Sequence, residues 1–167
     1  MIEILKHTPS WVFILFFALL AFGYFQSKGR TLSRGRVSIL PVAMILLSFY
    51  GVYSAFGIVP ASLAFWVLGV AIAVAGGVKL AAPRGVSFSA ETRSFYVPGS
   101  WLPLALMMAI FFVKYAVGVV LARQLPIAGD ATFAGSVSLG YGLLSGVFLA
   151  RAIVIWRCAM LPRTAEN

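Results

Sequence analysis

Charged and catalytically useful side chains are scarce in this chain of 167 residues. Only 10% of the residues are Asp, Glu, Lys or Arg, whereas soluble domains typically carry about 25%. The single cysteine, Cys158, excludes an internal disulfide, and the single histidine, His7, cannot by itself build a zinc or bis-histidine haem site. Nucleophilic triads, phosphate loops and CxxC motifs are also missing. We therefore expect no enzyme activity, no cofactor and no metal.

Acidic residues are the rarest charged class, with four in the whole chain. None falls within an apolar run, which argues against carboxylate proton relays and intramembrane hydrolysis. Thirteen Lys and Arg leave a net charge of +9, which in a soluble protein would suggest nucleic-acid binding. Because these charges lie mostly beside apolar runs and form no basic-aromatic patch, we expect no nucleic-acid partner.

Apolar residues dominate what is present. They make up 62% of the chain, the mean hydropathy is +1.01, and the excess is gathered in stretches long enough to cross a bilayer. The sequence thus predicts one integral membrane domain over residues 1–167, an all-α bundle of five transmembrane helices embedded in lipid. The predicted spans are residues 11–25, 37–57, 61–82, 100–123 and 134–156.

The distribution of Lys and Arg predicts the orientation of these spans, because cytoplasmic connections retain positive charge. Only Lys6 and Arg123 belong to the opposite side. The N-terminus is therefore expected outside and the C-terminus in the cytoplasm. The nine residues assigned to the cytoplasmic side are Lys28, Arg30, Arg34, Arg36, Lys79, Arg84, Arg93, Arg157 and Arg163.

The cytoplasmic connection over residues 83–99 is the one connection long enough to form its own structure. Residues 86–89 and 94–97 are β-prone, and polar residues 90–93 separate them, a pattern that favours a short β-hairpin. An isolated hairpin is marginally stable in water. It would have to pack on helix ends or on the membrane surface.

Several short segments resemble a family of small bacterial multi-pass membrane proteins of unknown function. They are His7 to Trp11, Pro41 in the second span, Val97 to Leu104, and Lys114-Tyr115. The resemblance covers most of the chain. It implies a location in the bacterial inner membrane and supplies no catalytic residues.

Lys114 is the most informative polar residue, because it lies inside the fourth span. It falls about 4 Å beyond the midpoint, in the outer leaflet, where a charge costs at least about 2.5 kcal/mol. Such residues usually face a bundle interior or a water-filled cavity. The simpler interpretation is that Lys114 snorkels to the interface along its aliphatic stem.

Other polar residues lie at similar depths in the neighbouring spans. Tyr50 and Tyr141 are expected near the level of Lys114, and Ser48 and Ser145 near the membrane centre. These four are the candidate companions of Lys114 in a polar pocket for an anionic or polar small molecule. Helix rotation decides whether the faces converge, and otherwise the tyrosines only pack.

Two cationic residues near the cytoplasmic ends of spans, Lys79 and Arg151, are candidates for binding lipid head groups. Ordinary positive-inside anchoring explains them more simply.

Small residues recur every four positions in the fifth span, and the third span has a shorter series of the same kind. Small faces let helices approach closely. The simpler expectation is that the two spans pair within one bundle, and the alternative is a homodimer through the fifth-span face. The packing candidates in that face are Ser138, Gly142, Gly146 and Ala150.

Two functions follow from these patterns. The first is a small permease-like or ligand-binding membrane protein, a homodimer with a polar pocket near Lys114. The second is a structural or accessory subunit that packs against another membrane protein and binds no ligand.

Overall fold

The structure of the protein is a computed structural model that describes residues 10–80, 87–89 and 94–160. Within these residues the chain forms five α-helices, of which four are long and apolar enough to cross a membrane. The first helix is a shorter apolar helix of 17 residues, near the lower limit of about 17–25 residues for a crossing. The helices are α1 (Ser10–Gln26), α2 (Arg34–Phe56), α3 (Pro60–Leu80), α4 (Leu102–Ala122) and α5 (Ala131–Met160).

The helix ends follow from local chemistry. Gly57 ends α2 with a φ of 72°, a left-handed conformation that glycine adopts without strain, and its N–H is donated to the Tyr53 carbonyl. Asp130 precedes α5 and accepts the Thr132 N–H at 2.8 Å through Oδ1. This cap explains why α5 begins at Ala131, earlier than predicted. A 3₁₀ turn over Pro126–Gly129 joins α4 to α5.

Three short strands form a small antiparallel sheet at one end of the bundle. They are β1 (Arg30–Ser33), β2 (Ser87–Ser89) and β3 (Ser94–Val97), in the order β1-β3-β2. In register, Thr31 is opposite Tyr96, and Phe88 is opposite Phe95. The residues that would form the predicted hairpin turn, 90–93, lie outside the described residues. Strand β1 was not expected from the sequence.

A fully buried phenylalanine, Phe95, anchors the sheet to the helices. It packs with Val37 at the start of α2 and Ile155 near the end of α5. Its ring also meets the Trp156 ring edge-on, with centroids 6.0 Å apart. The sheet therefore rests on helix ends, the support that an isolated hairpin would need.

Helices α3 and α5 run parallel and make the closest packing in the bundle. A Cβ added at Gly142 would collide with the Trp66 carbonyl, and one added at Gly146 would lie 2.7 Å from Ala73 Cβ. Likewise, a Cβ at Gly77 would lie 2.6 Å from Ala150 Cβ. The small faces of the two helices therefore pack within one chain.

Two further contacts join antiparallel helices. Helix α1 lies along α4, where Phe16 meets Phe111 with ring centroids 5.3 Å apart and Tyr24 meets Trp101 at 6.3 Å. Helix α2 lies against α5 in the same manner, since Trp156 near the end of α5 donates its indole N–H to Ser38 Oγ near the start of α2. Successive helices thus alternate in direction.

Candidate functional site

The centre of the bundle contains a buried cluster of hydrogen bonds between α2, α3 and α5. Ser48 Oγ donates to the Tyr141 carbonyl at 2.9 Å and accepts the Trp66 indole N–H at 2.8 Å. Ser145 Oγ lies 2.8 Å from the same carbonyl and 3.2 Å from that of Gly142. We call Ser48, Trp66, Tyr141 and Ser145 the central polar cluster. The Ser48 hydroxyl joins three helices, whereas the Ser145 hydroxyl bonds to carbonyls of its own helix, α5.

The ring of Tyr141 fills the space next to these hydrogen bonds. Its side chain is 1% exposed, and a Cβ added at Gly51 on α2 would lie 3.3 Å from its ring. A glycine at this position lets α2 approach the ring closely. The tyrosine therefore serves packing between α2 and α5.

Lys114 and Tyr50 form a separate pair on α4 and α2. The Lys114 ammonium lies 5.1 Å from the centroid of the Tyr50 ring, a cation–π contact. Lys114 is half-buried, whereas Tyr50 is 58% exposed. The five residues proposed for one pocket are thus arranged in two groups, a buried cluster and a pair with an exposed ring.

A cavity of about 50 Å³ lies at the sheet end of the bundle, between α1, α2, α5 and the connection from β3 to α4. Its polar lining residues are Gln26, Lys28 and Arg151, and we call it the basic cleft. The volume accommodates a few water molecules or a group of similar size. Its apolar walls are Val37, Leu40, Pro41, Val97, Pro98, Pro103, Phe148, Ala152 and Ile155.

The three polar residues of the basic cleft come from the end of α1, the connection to β1, and α5. Gln26 is the last residue of α1, is buried, and accepts the Ser100 N–H through its main-chain carbonyl at 3.4 Å. Lys28 follows in the connection to β1, and its ammonium lies 5.2 Å from the centroid of the Tyr24 ring. Arg151 lies on α5 and is half-buried.

Two backbone segments cross directly beside the cleft. A Cβ added at Gly99 would collide with the Ser27 carbonyl, so the connection from β3 to α4 touches the connection from α1 to β1. A Cβ at Gly29 would lie 2.8 Å from the Tyr96 hydroxyl. These close approaches hold the cleft wall and the sheet together.

The chemistry of the basic cleft favours an anion. Arg151 offers a planar fork of N–H donors suited to carboxylate or phosphate oxygens, and Lys28 adds a second positive charge. The described part of the lining contains no Asp or Glu. Among all described residues, no group of three or more His, Cys, Asp or Glu side chains could hold a metal ion.

The other two sets of predicted residues are the lipid head-group candidates and the packing candidates of α5, and of these only Arg151 lines the basic cleft. Lys79 is exposed in the last turn of α3 and does not line the basic cleft, in contrast to Arg151. Gly142, Gly146 and Ala150 contact α3. Because that face of α5 is covered by α3, a homodimer through it would have to displace a helix of the same chain.

Ser138, the fourth packing candidate, is a fully buried serine on α5. Its hydroxyl has no hydrogen-bond partner within the part of the chain described. It is one turn before Gly142 and two turns before Gly146.

Sequence reasoning missed two residues of the basic cleft, Gln26 and Lys28. Gln26 is the first strongly polar residue after the apolar run of α1, and Lys28 was counted only as a topology signal. A polar amide that ends an apolar helix was the available clue. Its burial depends on the crossing at Gly99, which no local pattern indicates.

Comparison with known proteins assigns the chain to a family. The model of DUF6622, a family of unknown function, matches residues 1–165, and the chain belongs to this family. This confirms the resemblance to an uncharacterised family of membrane-helix proteins. No curated protein and no solved structure matches the chain.

Proposed function

We propose that the protein is a ligand-binding membrane protein that holds an oxyanion in the basic cleft. The observation that carries this proposal is the convergence of Gln26, Lys28 and Arg151 on one cavity. The two cations supply positive charge and hydrogen-bond donors, and the amide supplies a donor and an acceptor. The described lining residues include no carboxylate that would repel an anion. A phosphate-type group satisfies this donor set, whether it is a lipid head group or a free ion.

The cleft is a better candidate site than the surroundings of Lys114. The Ser48 and Ser145 hydroxyls are already bonded to the Tyr141 carbonyl, so they offer little to a ligand. Fully buried Val52 and Met107 pack with Tyr141 in the same apolar core. This dense centre favours binding at one end over passage through the bundle.

The proposed topology has five crossings, with the basic end in the cytoplasm of a bacterium. The path of α1 along α4 supports a crossing by α1, because Phe16 reaches the level of Phe111 near the middle of α4. The pairing of β1 with β3 supports a common side for the two basic connections. Charge of this sign is retained on the cytoplasmic side of an inner membrane.

Anion binding is tested with the purified protein in a neutral detergent. Inorganic phosphate should raise the midpoint of thermal unfolding, because a ligand that binds the folded state stabilises it. Phosphatidylglycerol retained in native mass spectra would identify a lipid head group as the source. Loss of one charge-assisted contact by Arg151→Gln should weaken the affinity about tenfold or more.

The matched control is Arg157→Gln, which removes an exposed arginine from the same helix. It should change the affinity less than about twofold, in line with the small energies of exposed charges. Arg151→Lys keeps the charge without the fork and should give an intermediate affinity. Absence of binding by phosphate and by phosphatidylglycerol, or equal effects of the two glutamine variants, would disprove the proposal.

A further inference from the structure

The charge of Lys114 in the Lys114–Tyr50 pair is incompletely compensated. Lys114 lies near the middle of α4, a helix long and apolar enough to cross a membrane. Within the described structure, the close partner of its ammonium is the Tyr50 ring at 5.1 Å. A cation–π contact on a ring that is 58% exposed compensates only part of the cost of a charge at this depth.

Helix direction argues against snorkelling to the nearer interface. Helices α2 and α4 both begin at the sheet end, and side chains lean toward the N-terminus of their own helix. Lys114 and Tyr50 are therefore directed back into the bilayer. Ala122 at the far end of α4 is eight residues beyond Lys114, about 12 Å along the axis. The ring contact holds the ammonium at the level of Tyr50.

A second copy of the chain does not offer a carboxylate at this depth. Helices α1 to α5 contain no Asp or Glu over their described lengths. Asp130, the one acid among the described residues, lies in the connection before α5 and accepts the Thr132 N–H. Among the described residues, therefore, neither this chain nor a second copy of it supplies a carboxylate for Lys114.

The surface around the pair has the form of a helix-docking face. Leu46, Tyr50 and Tyr53 are exposed and recur at the i, i+4, i+7 spacing on α2. On α4, one turn beyond Lys114, Gly118 is exposed, and a Cβ built there meets no atom within 4 Å. A small residue beside a polar one is typical of contacts between transmembrane helices.

We propose that the Lys114–Tyr50 face binds a transmembrane helix of another membrane protein that carries an Asp or Glu at the depth of Lys114. The carboxylate pairs with the ammonium, and the backbone of the partner helix passes over Gly118. The exposed residues Leu46 and Tyr53 on α2 contact the rest of the partner helix. This inference depends on a different surface from the basic cleft and does not require the cleft to bind a ligand.

The probe is a synthetic Leu/Ala transmembrane helix of about 20 residues, with one central Glu and a fluorescent label. The control peptide has Gln in place of this Glu. The full-length protein, labelled with an acceptor, is reconstituted in phosphatidylcholine vesicles, and association is followed by energy transfer. The Glu peptide should associate about three- to twentyfold more tightly than the Gln peptide.

Three variants separate the ion pair from other effects. Lys114→Met should remove the preference for the Glu peptide, Lys114→Arg should retain it, and Lys79→Met should leave it unchanged. Lys79 is a suitable control because it is exposed in the last turn of α3, away from the pair. Thermal unfolding of each variant in detergent checks that the bundle is intact, and loss of a cation that Tyr50 compensates only in part should not weaken it.

Three results would overturn the inference. The first is equal association of the two peptides with the wild-type protein, and the second is a preference that survives Lys114→Met. The third is loss of the preference when phosphatidylglycerol replaces part of the phosphatidylcholine, because Lys114 would then be a site for lipid phosphate.

Discussion

Ser48 illustrates how a single hydroxyl can join three helices. It lies on α2, accepts the indole N–H of Trp66 on α3, and donates to the carbonyl of Tyr141 on α5. A buried donor that loses its partner costs more than the hydrogen bond was worth. This residue therefore contributes to the packing of the bundle more than its size indicates.

Replacing this serine tests the central polar cluster. Ser48→Ala leaves the Trp66 N–H unpaired in an apolar setting and should destabilise the bundle by about 1–2 kcal/mol. The measurement is unfolding of the protein by a denaturing detergent.

Ser54→Ala is the control, because Ser54 Oγ bonds to the Gly51 carbonyl of its own helix, at 3.2 Å, and does not join two helices among the described residues. It should be close to neutral. Equal losses in the two variants would mean that Ser48 does not join the helices energetically.

Depth along a helix could be predicted for individual residues, but rotation about the helix axis could not. Residue counting placed Tyr50, Lys114 and Tyr141 at one level of the bundle. The structure pairs Lys114 with the exposed ring of Tyr50 and buries Tyr141 against Gly51. Which faces meet depends on the packing of all neighbouring helices, and no single helix encodes it.

At the scale of elements, the parallel pair α3 and α5 is the tightest contact. The four-residue series of small residues predicted a close helix pair, since such faces let backbones approach. The sequence left open whether the partner belongs to the same chain. The collisions expected at Gly142 and Gly146 show that the partner is α3.

A single methyl group tests this contact. Gly142→Ala places a Cβ against the Trp66 carbonyl and should destabilise the bundle by about 1–3 kcal/mol through overpacking. Thermal unfolding in detergent measures the loss.

Gly140→Ala on the same helix has open space around its Cβ. It should be neutral or stabilise by up to about 1 kcal/mol, because alanine favours helix. If Gly140→Ala proves as damaging as Gly142→Ala, the effect belongs to the helix itself and not to its contact with α3.

Strand β1 shows which kind of element cannot be predicted from the local sequence. Residues 30–33 have no long alternating pattern, and β1 is stabilised by pairing with β3, more than 60 positions later in the chain. Strands of this kind depend on partners that tertiary contacts supply. The β2 and β3 segments were predictable because each is β-prone by itself.

For the whole molecule, the number of crossings is the property with the widest consequences. The four long helices are established by length and composition, whereas α1 has 17 residues. Five crossings place the chain ends on opposite sides, and four would place position 10 on the side of the basic connections.

Labelling of single cysteines distinguishes these topologies. In a Cys158→Ser background, an impermeant maleimide added outside intact cells should label Ser10→Cys and Ile127→Cys. Thr31→Cys in β1 should react only after permeabilisation. All three sites are exposed at the surface of the bundle.

Thermal unfolding of each variant in detergent checks that the bundle remains native. Labelling at Ile127→Cys with protection at Ser10→Cys would refute a crossing by α1. Labelling of Thr31→Cys from outside would refute the predicted orientation.

The sequence by itself determined the membrane-helix class, the approximate helix bounds and the small face of α5, because hydropathy and residue size act locally and repeat along the chain. Only the tertiary structure decided that this face packs on α3, that β1 joins the sheet, and that Gln26, Lys28 and Arg151 meet in one cleft. Those outcomes depend on helix rotation and on contacts between distant segments. The free energy of the whole packed bundle decides them, and no local sequence pattern reports that free energy.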